Sequence, residues 1–185
     1  MDIQYAILGL LSWQPLSGYD LKKIIAESDL LYWSGNNNQI YNSLVQLHQG
    51  ALVTQVVHQQ ESLPAKKVYS ITPAGRDTLR RWMLAEPELP EFRSHFLIQL
   101  AFTGPLSDAE FDGLLARYED EVDVQLRMRR ALNRQGGPGA FPPKGSPRER
   151  LVWARIGEAM IDAYQRELDW VRALRHDVQA QVFNE

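Results

Sequence analysis

Residues 36–50 read NNNQIYNSLVQLHQG, a stretch that opens on four consecutive side-chain amides. Ile40, Leu44 and Leu47 follow at the spacing of one face of an α-helix. A single Asn is enough to cap a helix N-terminus, and amides can also form paired hydrogen bonds with the edge of adenine. The remaining amides therefore either belong to an ordinary helix start or contact something outside the protein.

The segments on either side predict two short helices before this stretch and a β-hairpin after it. IQYAILGLLSW (3–13) carries apolar residues at helical spacing, and Ser17 with Asp20 predicts a capping box at the start of a second helix. LVTQVVH (52–58) and KKVYSIT (66–72) are short and rich in β-branched residues, as strands are.

Two further signals mark where the predicted elements end and begin. Gly50 is expected to take a left-handed conformation at the end of the third helix, and Thr72-Pro73 predicts the N-cap and first residue of a fourth. This order is that of a winged helix-turn-helix, in which the third helix enters the major groove and the hairpin forms the wing. We therefore expect a mainly α protein with an N-terminal winged helix-turn-helix domain at residues 1–86, built from three helices and a two-stranded wing.

Composition restricts the class of protein. An apolar content of 44 % and a charged content of 23 % are typical of a globular chain, and the absence of cysteine excludes disulfides and thiolate metal sites. Asp2 stands where a signal peptide carries basic residues, so we expect a cytoplasmic protein. The net charge is −3, but residues 1–86 are neutral, and clustered cations there can still bind phosphate.

Three stretches resemble the PadR family of bacterial transcriptional regulators: AILGLLSWQPLSGYDLKK (6–23), QIYNSLVQLHQGALV (39–53) and KKVYSITPAGRDTLRRWM (66–83). The resemblance rests on Ser17-Gly18-Tyr19-Asp20-Leu21, Ile40-Tyr41 with Leu44 and Leu47, and Tyr69 through Ile71-Thr72 with Gly75 and Leu79. It implies a winged helix that binds operator DNA. Asn42 departs from the pattern, because many members carry Pro there.

We expect the DNA-binding residues to come from the third helix, the helix before it and the wing. The third helix supplies amides and an aromatic ring, and Lys22 and Lys23 lie on the preceding helix. Lys66 and Lys67 either face phosphates from the wing or only protect the edge of a strand against aggregation. The complete set is Asn36, Asn37, Asn38, Gln39, Tyr41, Asn42, Lys22, Lys23, Gln60, Lys66 and Lys67.

Residues 87–185 predict an all-α domain. A short amphipathic helix precedes a long one that starts at Ser107 with Glu110 in capping-box spacing, and Ser146-Pro147 starts the final helix. The apolar stripe of the final helix runs about 40 Å at 1.5 Å per residue, longer than a small domain needs. Because such a stripe usually pairs with a second chain, we expect homodimerisation through Val152, Ile156, Met160, Tyr164, Leu168, Val171 and Leu174.

The chain has five tryptophans, which raises the question of an effector. Relatives that resemble this chain bind phenolic acids or flat hydrophobic compounds, and this implies candidates for an effector pocket. The alternative is that these aromatic residues belong to cores and interfaces. The candidates are Trp33, Trp82, Phe92, Phe96 and Trp153.

An enzyme is not expected. The four histidines have no metal-ligand spacing, and neither a phosphate-binding loop nor a nucleophile elbow is present. We therefore expect no cofactor, no metal and no catalytic residue. The predicted function is sequence-specific transcriptional regulation, as a repressor of a palindromic double-stranded operator that a small aromatic or hydrophobic effector releases. The alternative is a winged-helix module that binds proteins and not DNA.

Overall fold

The computed structural model describes residues 3–27, 38–59, 66–89, 94–134 and 145–180. The chain divides into two compact units, one formed by Met1–Pro87 with Pro138–Arg150 and the other by Glu88–Gly137 with Leu151–Glu185. The predicted boundary after residue 86 assigned residues 138–150 to the other domain. Within the first unit, the Trp13 indole Nε1 donates to Glu149 Oε1 at 3.2 Å and so ties this second segment to the N-terminal helix.

The first unit contains the predicted order of elements with one addition. The addition is a strand of two residues between the first and second helices. The elements are α1 (Ile3–Trp13), β1 (Leu16–Ser17), α2 (Gly18–Glu27), α3 (Asn38–Gln49), β2 (Val53–His58), β3 (Lys66–Ile71) and α4 (Pro73–Met83).

The sheet has three antiparallel strands in the order β1-β3-β2, whereas the sequence predicted two. Leu16 pairs with Tyr69, and Ser17 with Val68. This short strand was missed because two residues carry no alternating pattern; they pair because β3 would otherwise leave an open edge of backbone donors and acceptors.

The core of the first unit joins α1, α2 and α3 to the inner face of the sheet. Ile40, Leu44 and Leu47 on α3 are buried, as the sequence predicted. They pack in one cluster with Ile7 and Leu11 of α1. Since truncating such a residue to Ala usually costs about 2–5 kcal/mol, this cluster fixes which face of α3 points outward.

The predicted capping boxes are present at three helix starts. The Asp20 carboxylate accepts from the Ser17 N–H at 3.1 Å, and the Asp20 N–H donates to Ser17 Oγ at 3.2 Å. Equivalent reciprocal bonds join Ser107 to Glu110 and Ser146 to Glu149. Each box provides acceptors for two backbone N–H groups that have no partner within the helix.

The end of α3 differs from the prediction. Ala51, and not Gly50, takes the left-handed conformation, with φ 55°. The Leu52 N–H reaches the Leu47 carbonyl at 2.9 Å, and the Ala51 N–H reaches the His48 carbonyl at 3.0 Å. These two bonds form a Schellman motif, and they stabilise a conformation that costs a non-glycine residue about 1–2 kcal/mol.

The second unit consists of α5 (His95–Ala101), α6 (Asp108–Arg134) and most of α7 (Pro147–Ala180). Its core is formed by one residue of α5, three of α6 and two of α7. These are Phe96, Leu115, Val122, Leu126, Leu168 and Val171. No helix in the described ranges has a stretch long and apolar enough to cross a membrane.

Part of the predicted dimerisation stripe lies in this intramolecular core. Leu168 and Val171 are buried, and Tyr164 and Leu174 pack against the same cluster. The prediction is corrected at Leu168 and Val171, because α6 of the same chain covers them and they do not need a second chain; for the partly buried Tyr164 and Leu174 it stays a prediction. Val152, nearer the start of α7, is 49 % exposed, and Ile156 and Met160 are partly buried.

An ion-pair network joins α6 to α7. The Arg175 guanidinium donates to both Asp112 oxygens, at 2.8 and 3.0 Å, and to Glu119 at 3.2 Å. Arg172 donates to the other Glu119 oxygen at 2.8 Å. The bond from Arg175 lowers the pKa of Asp112, and the bond from Arg172 is the main cause of the lowered pKa of Glu119.

The close approach of α4 to the end of α3 predicts that Gly75→Ala strongly lowers the free energy of unfolding. A Cβ at residue 75 would lie 2.2 Å from the Leu52 carbonyl oxygen and 2.8 Å from Ile71 Cγ1. Because backbone cannot yield as a side chain does, we expect a loss of about 3 kcal/mol in urea unfolding followed by circular dichroism. Gly9→Ala, inside α1 with nothing within 4 Å of its Cβ, should instead gain about 0.5–1 kcal/mol. Equal stabilities of the two variants would contradict this packing.

The Arg175 network predicts a specific loss of stability in acid. A carboxylate with a lowered folded-state pKa stabilises the fold above its unfolded pKa, and this contribution disappears as the pH falls through the folded value. The stability of the native chain should therefore fall below about pH 4 more steeply than that of Arg175→Gln. Arg155→Gln, which breaks an exposed pair with Glu158, is the control and should follow the native profile in unfolding series at stepped pH. Identical profiles for Arg175→Gln and the native chain would refute the assignment.

Candidate nucleic-acid interface

The outward face of α3 is polar and exposed. Asn38, Gln39, Tyr41 and Asn42, which were predicted for DNA binding, are all exposed. They lie opposite the buried apolar face because residues three and four apart share one side of a helix. Three other residues predicted for DNA binding, Asn36, Asn37 and Gln60, lie outside the described residues, as does the effector candidate Trp33.

The same exposed face continues along α3 past the amides at its start. Val45 and Gln49 lie on it, and the sequence prediction named neither. Counting onward from Tyr41 and Asn42 in steps of three and four would have found both. The exposed face of α3 is therefore longer than the amide run.

Tyr41 is positioned by the start of α2. A Cβ on Gly18 would lie 2.7 Å from its ring carbon Cε1, so a larger residue at position 18 would displace the Tyr41 ring. Burial raises the pKa of Tyr69 on β3, and the nearby Tyr41 phenol raises it further. Tyr41 thus sits where α2, α3 and the wing strand β3 meet.

Two side chains on α3 are used within the fold. Gln46 Oε1 accepts from the Gln4 amide at 2.6 Å, and His48 Nδ1 lies 3.2 Å from the Val53 carbonyl oxygen. The first contact joins α3 to α1, and the second joins the end of α3 to β2. These contacts fix the helix against its neighbours and support a structural role for His48.

The two wing lysines point in opposite directions, because successive strand residues alternate between faces. Lys67 shares its face with Tyr69 and is exposed at the outer end of β3. Lys66 Nζ lies 3.2 Å from Asp20 Oδ2. Although burial opposes ionisation, the bonds from Ser17 and Lys66 together lower the pKa of Asp20.

The two lysines of α2 differ in exposure. Lys22 is partly buried and Lys23 is exposed, and Lys23 makes a further contact within the protein. The first unit therefore carries two cations on α2, which packs against α3, and two on β3 of the wing. A neutral domain can therefore present local positive charge.

The effector candidates do not form one described cluster. Trp82 stacks on Tyr5 in the first unit, with ring centroids 4.7 Å apart. Phe96 is buried in the second unit and stacks on Tyr118 at 3.5 Å. Trp153 is partly buried, and Phe92 lies outside the described residues.

The second unit has an open cavity between α5 and α6 that the sequence did not indicate. Its lining is mostly apolar and includes Ile98, Phe102, Leu106 and Leu114.

Within the described ranges, no group of three His, Asp or Glu residues could hold a metal ion.

Comparison with known proteins identifies relatives of the first unit and of the whole fold. Residues 7–81 match the Transcriptional regulator PadR-like family. The negative transcriptional regulator PadR of Bacillus subtilis is 31 % identical over 135 residues, which is 72 % of this chain and 71 % of the relative.

Two solved structures of that protein have the same fold. The complex of Bacillus subtilis PadR with operator DNA matches with a TM-score of 0.80 and 24 % identity, covering 95 % of this chain and 98 % of that one. Its complex with p-coumaric acid matches with a TM-score of 0.74 and 22 % identity, covering 96 % and 95 %. Together with the sequence match, these findings lead to one conclusion: the chain belongs to the PadR-like family of transcriptional regulators.

Proposed function

We propose that this protein is a homodimeric repressor that binds a palindromic operator in double-stranded DNA through α3 and the wing. The observation that carries the proposal is the exposed polar face of α3, held outward by the buried Ile40, Leu44 and Leu47. Family membership supports a regulator, and the name of the Bacillus subtilis relative supports negative regulation.

In this proposal α3 lies in the major groove. Asn38, Gln39 and Asn42 face base edges, and Tyr41 contacts a base or a phosphate. Asn36 and Asn37 extend the amide run at the helix start, where backbone N–H groups also favour phosphate. Phosphate contacts position the protein on the duplex, and base contacts give it specificity.

The cations supply the phosphate contacts. Lys22 and Lys23 contact the DNA phosphates next to α3. Lys66, Lys67 and Gln60 contact the phosphates that the wing reaches. Lys67 is exposed at the outer end of β3, whereas Lys66 is held by Asp20. Within the part of the chain that the structure describes, Lys67 has no ion-pair partner, so we expect it to be the wing cation that contacts DNA first.

Dimerisation is assigned to residues 87–185, and DNA binding to residues 1–86. A two-fold dimer places two α3 helices on successive half-sites and reads a palindrome. Val152, Ile156 and Met160 remain as candidates for the dimer contact. Val152 and its neighbour Leu151 are about half exposed, at 49 % and 58 %.

In this proposal the protein acts in the cytoplasm by binding DNA and not by catalysis. A small aromatic or hydrophobic effector releases it from DNA. The p-coumaric acid complex of Bacillus subtilis PadR supports an aromatic class of effector. Trp33, Trp82, Phe92, Phe96 and Trp153 stay the proposed contacts. Burial of Phe96 in the core of the second unit makes it a wall of such a pocket at most.

The direct test is fluorescence anisotropy with a duplex that this protein selects from a random library, titrated at several salt concentrations. Removing one phosphate-contacting charge reduces the slope of log affinity against log salt by about one. We expect this for Lys67→Ala, together with weaker binding to all sequences. Arg155→Ala on α7, which removes an exposed cation of the second unit, should leave the slope unchanged. If no duplex is selected, or if binding ignores salt, the chain is a protein-binding module instead.

The Asp20–Lys66 pair predicts that Asp20→Asn binds DNA more tightly. Asn keeps an oxygen that can accept from the Ser17 N–H, but it no longer holds the Lys66 ammonium, which is then available to phosphate. An exposed pair is worth up to about 1 kcal/mol, so we expect roughly threefold tighter binding at low salt. Combining Asp20→Asn with Lys66→Ala should abolish most of the gain. A gain of the same size in both backgrounds would mean that Asp20 acts only through its own charge.

A further inference from the structure

Val45 is an apolar residue on the exposed, mostly polar face of α3. The other aliphatic residues in the middle of α3 are buried, but Val45 is 53 % exposed. A β-branched residue is also a weaker helix former than most residues that could stand there. The fold therefore gives no reason for a valine at this position.

The neighbours of Val45 suggest what it contacts. Tyr41 and Asn42 precede it by four and three residues, Gln49 follows it by four, and all three are exposed on the same side of α3. Gln46, the next residue, is bonded to Gln4 of α1. The result is one methyl-bearing side chain between amide and phenol groups.

The helix also lacks Arg and Lys, the residue types that most often read guanine. Residues Asn38–Gln49 read NQIYNSLVQLHQ and include neither Lys nor Arg. The commonest specific contact to guanine is a bidentate Arg or Lys, whereas Asn and Gln pair with adenine and apolar side chains contact the thymine methyl group. The side chains of this face therefore match A·T pairs.

We propose that Val45 contacts the C5-methyl group of a thymine and that, with Asn42 and Gln49, it makes α3 select A·T pairs. This inference rests on the proposed DNA-binding function and deepens it by naming the base pairs that are read. Val45 is then a specificity-determining residue that adds a methyl contact to the hydrogen bonds of its neighbours. Base pairs in the operator that require guanine are read by other parts of the protein or by DNA shape.

The experiment replaces single thymines by uracil in the duplex that the protein selects from a random library. This change removes only the C5-methyl group. Burial of one such group is worth about fourfold in affinity, so at one thymine in each half-site we expect about that loss for the native protein. Val45→Ala should bind the thymine and uracil duplexes equally. Val124→Ala, at a 56 % exposed valine on α6 in the second unit, should keep the native fourfold discrimination.

The outcomes separate the inference from the proposed function. Loss of discrimination in Val45→Ala alone supports both. If the duplex is bound and salt-sensitive, but no uracil replacement matters or the discrimination survives in Val45→Ala, the thymine contact is wrong and DNA binding stands. If the protein selects no duplex, the proposed function fails and the inference fails with it.

Discussion

The backbone turn at Ala51 and Leu52, called the corner below, fixes the elements of the candidate interface to one another. The Leu52 carbonyl accepts from the Thr72 N–H at 3.0 Å, and Thr72 Oγ1 donates to the Ala51 carbonyl at 2.8 Å while accepting from the Gly75 N–H at 3.0 Å. One corner thus joins the end of α3, the inner ends of both wing strands and the start of α4. Only a glycine at position 75 leaves room for it.

The position of the candidate DNA-binding groups follows from this corner. The wing leaves it as β2 and returns as β3, so the place of Lys67 relative to α3 is set by backbone bonds and not by flexible side chains. The opposite end of α3 is held by the buried Ile40 in the core of the first unit, and the Tyr41 ring lies close to Gly18. A helix held at both ends presents its exposed face in one orientation, as base recognition requires.

The features that the sequence predicted well depend on neighbouring residues. The capping box of Ser17 with Asp20 is a local pattern, and the burial of Ile40, Leu44 and Leu47 follows from helical spacing alone. Features that depend on distant partners were missed. Asp20 meets Lys66 only because β1 pairs with β3 beside the start of α2.

The final helix shows the same limit. Its apolar stripe was recognised, but spacing does not tell whether the partner is in the same chain, and α6 covers Leu168 and Val171. At the end of α3, glycine preference pointed to Gly50, whereas the Schellman bonds place the left-handed residue at Ala51. Val45 was not predicted for the interface, because an apolar residue in a helix is usually buried, whereas here it is exposed.

We propose that the exposed face of α3 lies against base edges when the protein is on DNA. This can be tested by photo-crosslinking from p-benzoylphenylalanine in place of Tyr41, with the same group in place of the 40 % exposed Trp170 on α7 as the reference. We expect crosslinks from position 41 to bases inside the selected site and none from position 170. Specific binding without any crosslink from position 41 would contradict it.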